Sequence, residues 1–489
     1  MAISFNFDVP RVPGQYIEID NSQAVRGLPG MPSCILVIGQ KFSSGTAAEN
    51  TPIQVLDVAQ AEALFGRGSM LHRMFDALKN NNRKTESWAI PLLDSDSGVA
   101  ATGSVAFSGS VTLAGTLSLY IAGKKVAIAI AALETGAASA TKLAAKINSL
   151  TDLPVVAAVD GINTSKVNIT ARHKGEGGNH IDIRTNYYQG EYTPNGLTVT
   201  IIGMSNGSGN PDVSDAIAAF GSKWWTDIIC PYTDAANFAA LEAAVADSFG
   251  PTVMKDAHVY CGASGSHAEL ITLASNRNSP HVTIMGAQAS PTQPEQWAAA
   301  LGAVCAYYAR IDPARPFQTL QLKGALPPSI SDRFGLEDRD LLLYGGIATF
   351  DVDDGGNVLI ERVITNYQTN AQGVEDISYL DLETLKTLAF IRYSIRARIS
   401  LRYPRHKLAM DGTRAGVGQA LATPRQIRAE LIALFRELEE AGIVEDFDQF
   451  SDDLIVEINA SDPNRVDALI PPNIVNQFRV FAGKLQYIL

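Results

Sequence analysis

The sequence predicts a multidomain α/β and α+β protein, in which a mixed-sheet core carries an inserted β-rich domain and is followed by a C-terminal α+β domain. Three observations predict this class. Short apolar runs alternate with helical patterns, one internal segment is rich in Gly, Ala, Ser and Thr, and both ends alternate apolar with polar residues. The chain has 489 residues and is 46% apolar, which is enough for two to four domains.

The core domain is predicted to be discontinuous, over residues 25–95 and 206–365. The run Cys34-Ile35-Leu36-Val37-Ile38-Gly39 is typical of a buried strand. Further strands are predicted at 88–92, 227–231, 258–261 and 281–285. Helices are predicted at 60–80, 238–247 and 296–310, and a hairpin follows at 346–363. This βαβ order favours a parallel or mixed sheet that helices cover.

The inserted β-rich domain is predicted over residues 96–205, where the composition shifts to small residues. One helix fits between Ala138 and Leu150, because Leu143, Ile147 and Leu150 share a face. Predicted strands lie at 104–107, 112–121, 125–130, 155–159, 166–171 and 197–202. The turn-forming sequence from Asn206 to Pro211 closes the insert as a linker.

The C-terminal α+β domain is predicted over residues 366–470. Thr423-Pro424-Arg425-Gln426 fits a capping box with proline in the first helical position. An amphipathic helix follows and ends near Gly442.

The two ends of the chain are predicted to be extended arms, residues 1–24 and 471–489. Their apolar residues alternate with polar ones, as in strands, and a bulge at Gly483 explains a change of parity in the second arm. The strand residues are Ile3, Phe5, Phe7 and Val9 in the first arm, and Ile474, Phe478, Val480 and Ala482 in the second. Either both strands pair within their own domain, or the arms complete the sheets of neighbouring subunits.

Charge is unevenly distributed in the C-terminal domain. Ten basic residues and one acid between Lys386 and Arg428 give about +9, while twelve acids and two arginines between Ala429 and Asp467 give about −10. Intramolecular neutralisation with a solvated face is one interpretation. The others are complementary patches that join identical subunits, or a basic face that meets an acidic partner. Direct nucleic-acid binding is opposed by the acidic neighbour and by the net charge of −12.

The residues provide no catalytic, metal or cofactor constellation, so we expect a protein that is not an enzyme and has no cofactor. The sequence Gly262-Ala263-Ser264-Gly265-Ser266 lacks the last glycine of a nucleophile elbow. The segment from Asp351 to Gly356 is better explained by a hairpin turn than by a calcium loop. The four cysteines are too far apart for a metal motif and are expected to be reduced core residues. We expect neither a membrane span nor an ordinary signal peptide.

Several segments resemble, in order and spacing, contractile tail sheath proteins of Mu-like phages. The opening Val12-Pro13-Gly14-Gln15-Tyr16-Ile17-Glu18 is similar to the family's Pro-Gly-Val-Tyr opening, although Gln15 departs from the usual valine. The long small-residue insert is also similar. The further similar segments are Pro313-Ala314-Arg315-Pro316, Leu326-Pro327-Pro328, Arg362-Val363-Ile364-Thr365 and residues 376–382.

This resemblance implies a structural subunit that forms a homo-oligomer, a helical stack of rings around the tail tube. Contraction would drive the tube through the bacterial envelope during genome delivery. The implied partners are the tube protein, the baseplate and the tail terminator, with no direct nucleic acid and no membrane insertion. The implied location is the virion tail, assembled in the host cytoplasm.

The resemblance also implies roles for individual residues. The arms would contact neighbouring subunits through Tyr16 and the strand residues named above for the first arm, and through Phe478, Val480 and Ala482 of the second arm. A basic helix would face the tube or a neighbour's acidic region. The residues of this charged contact are Arg392, Arg396, Arg402, Glu437, Glu440 and Asp453.

Two other functions remain open from the residues alone. The first is an α/β enzyme with an accessory β domain, which would need a pocket with convergent polar groups. The second is another virion shell component.

Overall fold

The computed structural model of the protein describes residue 28 and residues 30–488, except residues 276, 415 and 417. It divides into two units. The larger unit contains residues 32–389 and 476 onward, and the smaller unit includes residues 390–475.

The larger unit begins with a completely buried strand, as its apolar run predicts. The first elements are β1 (Cys34–Gln40), β2 (Ile53–Gln54), α1 (Val58–Phe65), α2 (Met70–Asn81) and β3 (Glu86–Leu92). The single helix predicted over 60–80 is therefore wrong in one respect, because two helices occupy this region. Gly66 and Gly68 adopt positive φ values of 87° and 81°, and the chain turns there at the end of α1. Ser69 then caps the N-terminus of α2.

The insert folds as two antiparallel sheets and one helix around its own apolar core. Its elements are β4 (Ala100–Gly109), β5 (Gly115–Ile121), β6 (Lys124–Ile130), α3 (Gly136–Ser149), β7 (Val155–Val159), β8 (Lys166–Lys174), β9 (Ile183–Thr185) and β10 (Leu197–Ser205), with a 3₁₀ turn at Glu176–His180. The strand orders are β10-β4-β8-β7 and β6-β5-β9. A bridge between Val99 and Ser208 closes the insert where the chain enters and leaves it.

The second part of the core completes a six-stranded sheet of order β13-β12-β11-β1-β3-β2. The added elements are α4 (Ser214–Ala218), β11 (Asp227–Ile229), α5 (Ala235–Phe249), β12 (His258–Ala263), α6 (His267–Ser275), β13 (Val282–Gly286) and α7 (Pro294–Ile311). Every pairing is parallel except that of β2 with β3. The apolar helix α7 packs on the sheet, and its Trp297 is completely buried.

A hairpin follows, as predicted from residues 346–363. A 3₁₀ turn at Ile330–Asp332 and α8 (Leu336–Tyr344) precede the hairpin, whose strands are β14 (Thr349–Val352) and β15 (Val358–Arg362). The Asp353 carboxylate accepts hydrogen bonds from the backbone N and side-chain Nδ2 of Asn357, at 2.7 and 2.9 Å. The aspartate thus closes a turn, which confirms the hairpin interpretation of this acidic segment.

The smaller unit packs around a long amphipathic helix. The remaining elements are α9 (Leu382–Arg402, of which residues 382–389 belong to the larger unit), β16 (Lys407–Leu408), β17 (Leu421–Ala422), α10 (Pro424–Glu440), β18 (Val444–Glu445), α11 (Phe447–Asp453), β19 (Ile455–Ile458), β20 (Val466–Leu469) and β21 (Asn473–Ile474). The capping box at Thr423 and Gln426 is confirmed. Phe435 of α10 stacks on Phe450 at 3.9 Å between ring centroids.

Candidate functional site

The nucleophile and metal candidates occupy structural positions. Ser264 lies after β12, and its hydroxyl donates a hydrogen bond to the carbonyl of Gln288. Burial raises the pKa of the Cys34 and Cys230 thiols to about 12, so these cysteines are unreactive core residues. Among the described residues no group of His, Cys, Asp or Glu could hold a metal ion, and no helix could span a membrane.

The first predicted arm lies outside the described residues. This applies to all of its predicted contact residues: Ile3, Phe5, Phe7, Val9 and Tyr16.

The second arm leaves the smaller unit through β21, which pairs antiparallel with β18 over two residues on each strand. Beyond Val475, the described residues form no β-ladder, so the strand predicted to continue to Leu489 with a bulge at Gly483 is wrong for the single chain. The physical reason is that a strand needs a neighbouring edge, and residues 476–488 have none within the described chain.

The apolar residues of this arm face solvent. Phe478 is 72% exposed and Val480 is 80% exposed, and Ala482 is also exposed. The next apolar residues are more exposed still: Phe481 at 83%, Leu485 at 93% and Ile488 at 97%. Exposed apolar side chains in such density are typical of a surface that a partner covers.

One polar residue attaches the arm to the larger unit. Arg479 Nη2 lies 3.0 Å from Asp381 Oδ1 and 3.0 Å from Glu383 Oε2, and only 13% of its side chain is exposed. Sequence reasoning missed this residue. The available signal was a lone arginine between apolar residues in the middle of a predicted arm.

The sheets of the smaller unit have only two strands each among the described residues. The hairpin of β19 and β20 has only two strands, and a two-stranded sheet is marginal by itself. Ile455 and Leu469 face each other across this hairpin and are 51% and 60% exposed. The hairpin therefore presents an apolar pair beside strand edges.

The charged halves of the C-terminal domain partly neutralise each other within the chain. Arg398 on α9 contacts both Glu437 and Glu430 on α10, and only 10% of its side chain is exposed. The hydrogen bond to Glu437 raises the pKa of Arg398 above its ordinary value. Arg402 lies 3.5 Å from Glu430 and remains 53% exposed. Two predicted intersubunit residues, Arg402 and Glu437, thus have partners in their own chain.

The other predicted charged residues lie at the surface to different degrees. Arg396 is exposed on α9, whereas Arg392 is half-buried. Glu440 is exposed at the end of α10. Asp453 is also exposed, and it accepts a hydrogen bond from Gln449 Nε2 at 2.7 Å. Arg396, Glu440 and Asp453 are therefore exposed charges of the predicted contact.

Comparisons with known proteins assign the family. The family model for the phage tail sheath protein central domain matches residues 206–366, and that for the phage tail sheath C-terminal domain matches residues 374–488. The chain is 46% identical to the Mu-like prophage FluMu tail sheath protein of Haemophilus influenzae, with 100% of both chains covered. The chain belongs to the phage tail sheath family. This confirms the resemblance to Mu-like sheath proteins, and this sheath protein is a structural subunit of a phage tail.

Solved structures similar to the sheath protein include two others of sheath type. The sheath tail protein of Desulfitobacterium hafniense is 13% identical, with a TM-score of 0.49, and the match covers 94% of this chain and 100% of that one. The helical sheath of the anti-feeding prophage in its contracted state is 10% identical, with a TM-score of 0.47, and the match covers 98% and 99%.

Proposed function

We propose that this sheath subunit polymerises into helically stacked rings around a tail tube and contracts to drive that tube through the bacterial envelope during genome delivery. The tail tube protein, the baseplate and the tail terminator are the proposed partners. Assembly takes place in the host cytoplasm, and the product is part of the virion tail. In this arrangement the insert, residues 96–205, is the outer domain, and the C-terminal domain, residues 366–470, is the inner one.

The observation that carries the proposal is the exposed apolar arm that follows β21. Phe478, Val480 and Phe481 of residues 476–488 are exposed to solvent, and the smaller unit has only two-stranded sheets among the described residues. Strand addition would cover the apolar side chains and satisfy backbone groups at the sheet edges in one step. A head-to-tail exchange uses two different surfaces of each subunit, so it can continue from copy to copy as rings or as a helical polymer.

The proposed role of the arms in assembly is tested by electron microscopy of the purified protein. We expect the full chain to assemble into long hollow tubes, and variants that lack residues 1–20 or 476–489 to remain soluble and folded without tubes. Ile162→Ser is the control, because it removes a side chain that is 98% exposed on the insert but leaves both arms intact. Tubes formed by either deletion variant would contradict the arm proposal, and closed shells from the full chain would indicate another virion component.

The exposed charges on α9 and α10 suggest a second contact of the same assembly. We expect Arg396→Glu to reduce the yield of tubes at least tenfold, because it places like charges opposite an acidic partner surface. The measurement is the pelleted fraction of protein after assembly. If the partner is the neighbour's acidic region, the additional change Glu440→Arg restores assembly, whereas a tube partner leaves the double variant defective. Unchanged assembly of Arg396→Glu would refute a role for this basic face.

A further inference from the structure

The arm is held to the larger unit by one charged contact in an acidic site, which we call the socket: Asp381 and Glu383 at the start of α9. Arg479 Nη2 lies 3.0 Å from a carboxylate oxygen of each residue. Next to this ion pair, Gln318 Nε2 donates a hydrogen bond to the carbonyl of Phe478 at 3.3 Å. The flanking side chains of Phe478 and Val480 remain exposed.

The socket requires a cation. The Glu383 side chain is completely buried, and its Oε1 accepts a hydrogen bond from the backbone N of Phe317 at 2.9 Å. Burial raises the pKa of Glu383, and Arg479 opposes that shift. Asp381 is shared, because Arg362 also binds it in a bidentate pair at 2.9 and 3.0 Å. Without a guanidinium at the Arg479 position, a buried carboxylate would lose its ion-pair partner.

The attachment of Arg479 is specific, but it buries little apolar surface of the arm. A single nitrogen, Arg479 Nη2, bridges the two carboxylates, and a fixed acidic site favours a guanidinium over the other residues of the arm. However, the exposed apolar residues beyond position 479 add no buried surface in the single chain. The arm can therefore leave its socket whenever another surface covers those residues. Val475, at the end of the smaller unit, is four residues from Arg479, so at most about 14 Å of extended chain separates them.

We propose that the socket is a guanidinium-binding site that holds Arg479 of its own chain in the free subunit and Arg479 of a second copy in the assembled sheath. This inference rests on the proposed exchange of arms. An exchange that reuses the same contacts leaves the buried Glu383 paired in both states. It is therefore a low-cost route from subunit to polymer.

The first half of the proposal is tested by limited trypsin digestion of the unassembled full chain. Trypsin cleaves after an arginine that enters its own binding pocket, so an Arg479 bound in the socket is protected. We expect Glu383→Gln to accelerate cleavage after Arg479 at least tenfold. Cleavage after the exposed Lys484 in the same arm is the internal control and stays unchanged. Equal rates at Arg479 in both proteins would overturn occupation of the socket by the chain's own arm.

The second half is tested with a fluorescent synthetic peptide of residues 473–489 added to full-length chains. We expect the peptide to bind Arg479→Gln, whose socket is vacant, at least tenfold more tightly than the wild type or Arg479→Gln/Glu383→Gln. The double variant carries no unpaired buried carboxylate, and a chain that lacks residues 476–489, whose socket is also vacant, replaces Arg479→Gln if the latter does not fold. Equal binding of the peptide to the single and double variants would refute the proposed guanidinium-binding site. If the socket binds the peptide but the full chain forms no tubes, only the proposed assembly fails.

Discussion

Replacing Gly262 by alanine lowers the free energy of unfolding by about 3 kcal/mol, because the added methyl group collides with backbone. Gly262 lies near the end of β12, where the N-terminus of α7 crosses the sheet. A Cβ at this position would lie 2.1 Å from the carbonyl oxygen of Pro294 and 2.9 Å from its carbonyl carbon. Neither atom can rotate away as a side chain could, so β12 and α7 have to separate. Denaturant unfolding measures the loss.

The matched control for this substitution is Gly203→Ala in β10. No atom lies within 4 Å of a Cβ at Gly203. We expect this variant to be unchanged or slightly more stable, since alanine restricts the unfolded chain. A Gly262→Ala protein that unfolds at the same denaturant concentration as the wild type would refute the close packing of β12 against α7.

The second large effect concerns the buried ion pair between α2 and α7. Arg73 Nη2 lies 3.1 Å from Glu295 Oε1, and the two side chains are only 7% and 3% exposed. Burial lowers the pKa of Arg73, and Glu295 opposes this shift. We expect Arg73→Met to cost about 3–5 kcal/mol, because it leaves the Glu295 carboxylate buried without its cation. Thermal and denaturant unfolding of the purified variant provide the measurement.

Two further variants separate charge from packing in this pair. Arg73→Met/Glu295→Leu removes both charges, so we expect it to be more stable than Arg73→Met by at least about 1 kcal/mol. Arg67→Ala breaks the surface pair with Glu62, whose atoms lie 3.9 Å apart, and we expect a change within about 0.5 kcal/mol. If the double variant is as unstable as Arg73→Met, packing rather than the unpaired charge accounts for the loss.

The mixed α/β multidomain fold could be predicted because its strands are strongly patterned. The run from Cys34 to Gly39 and the strand at 258–261 are buried on both faces, as expected for parallel strands that helices cover. The break between α1 and α2 was missed, since the helical spacing continues through it. The three-residue strand β9 is too short to produce a periodic pattern.

The charged site was only partly predictable, because pairing depends on which helix faces pack together. Arg398 and Arg402 are four residues apart and therefore lie on one face of α9, and Glu430 and Glu437 share a face of α10 in the same way. That spacing was visible in the sequence, but it does not state which face of α9 meets α10. The attachment of Arg479 to Asp381 and Glu383 joins residues about a hundred positions apart, and only the fold brings them together.

The bridge between Val99 and Ser208 brings the two ends of the insert together. The two backbone hydrogen bonds of this bridge are 2.8 and 3.1 Å long, so the chain leaves and re-enters the core at nearly the same point. A shorter or longer excursion between these two residues would leave the register of the six-stranded sheet unchanged. The length of the insert can therefore change without altering the strand order of the sheet, provided that core contacts such as the hydrogen bond from Met70 N to His173 Nε2 are kept.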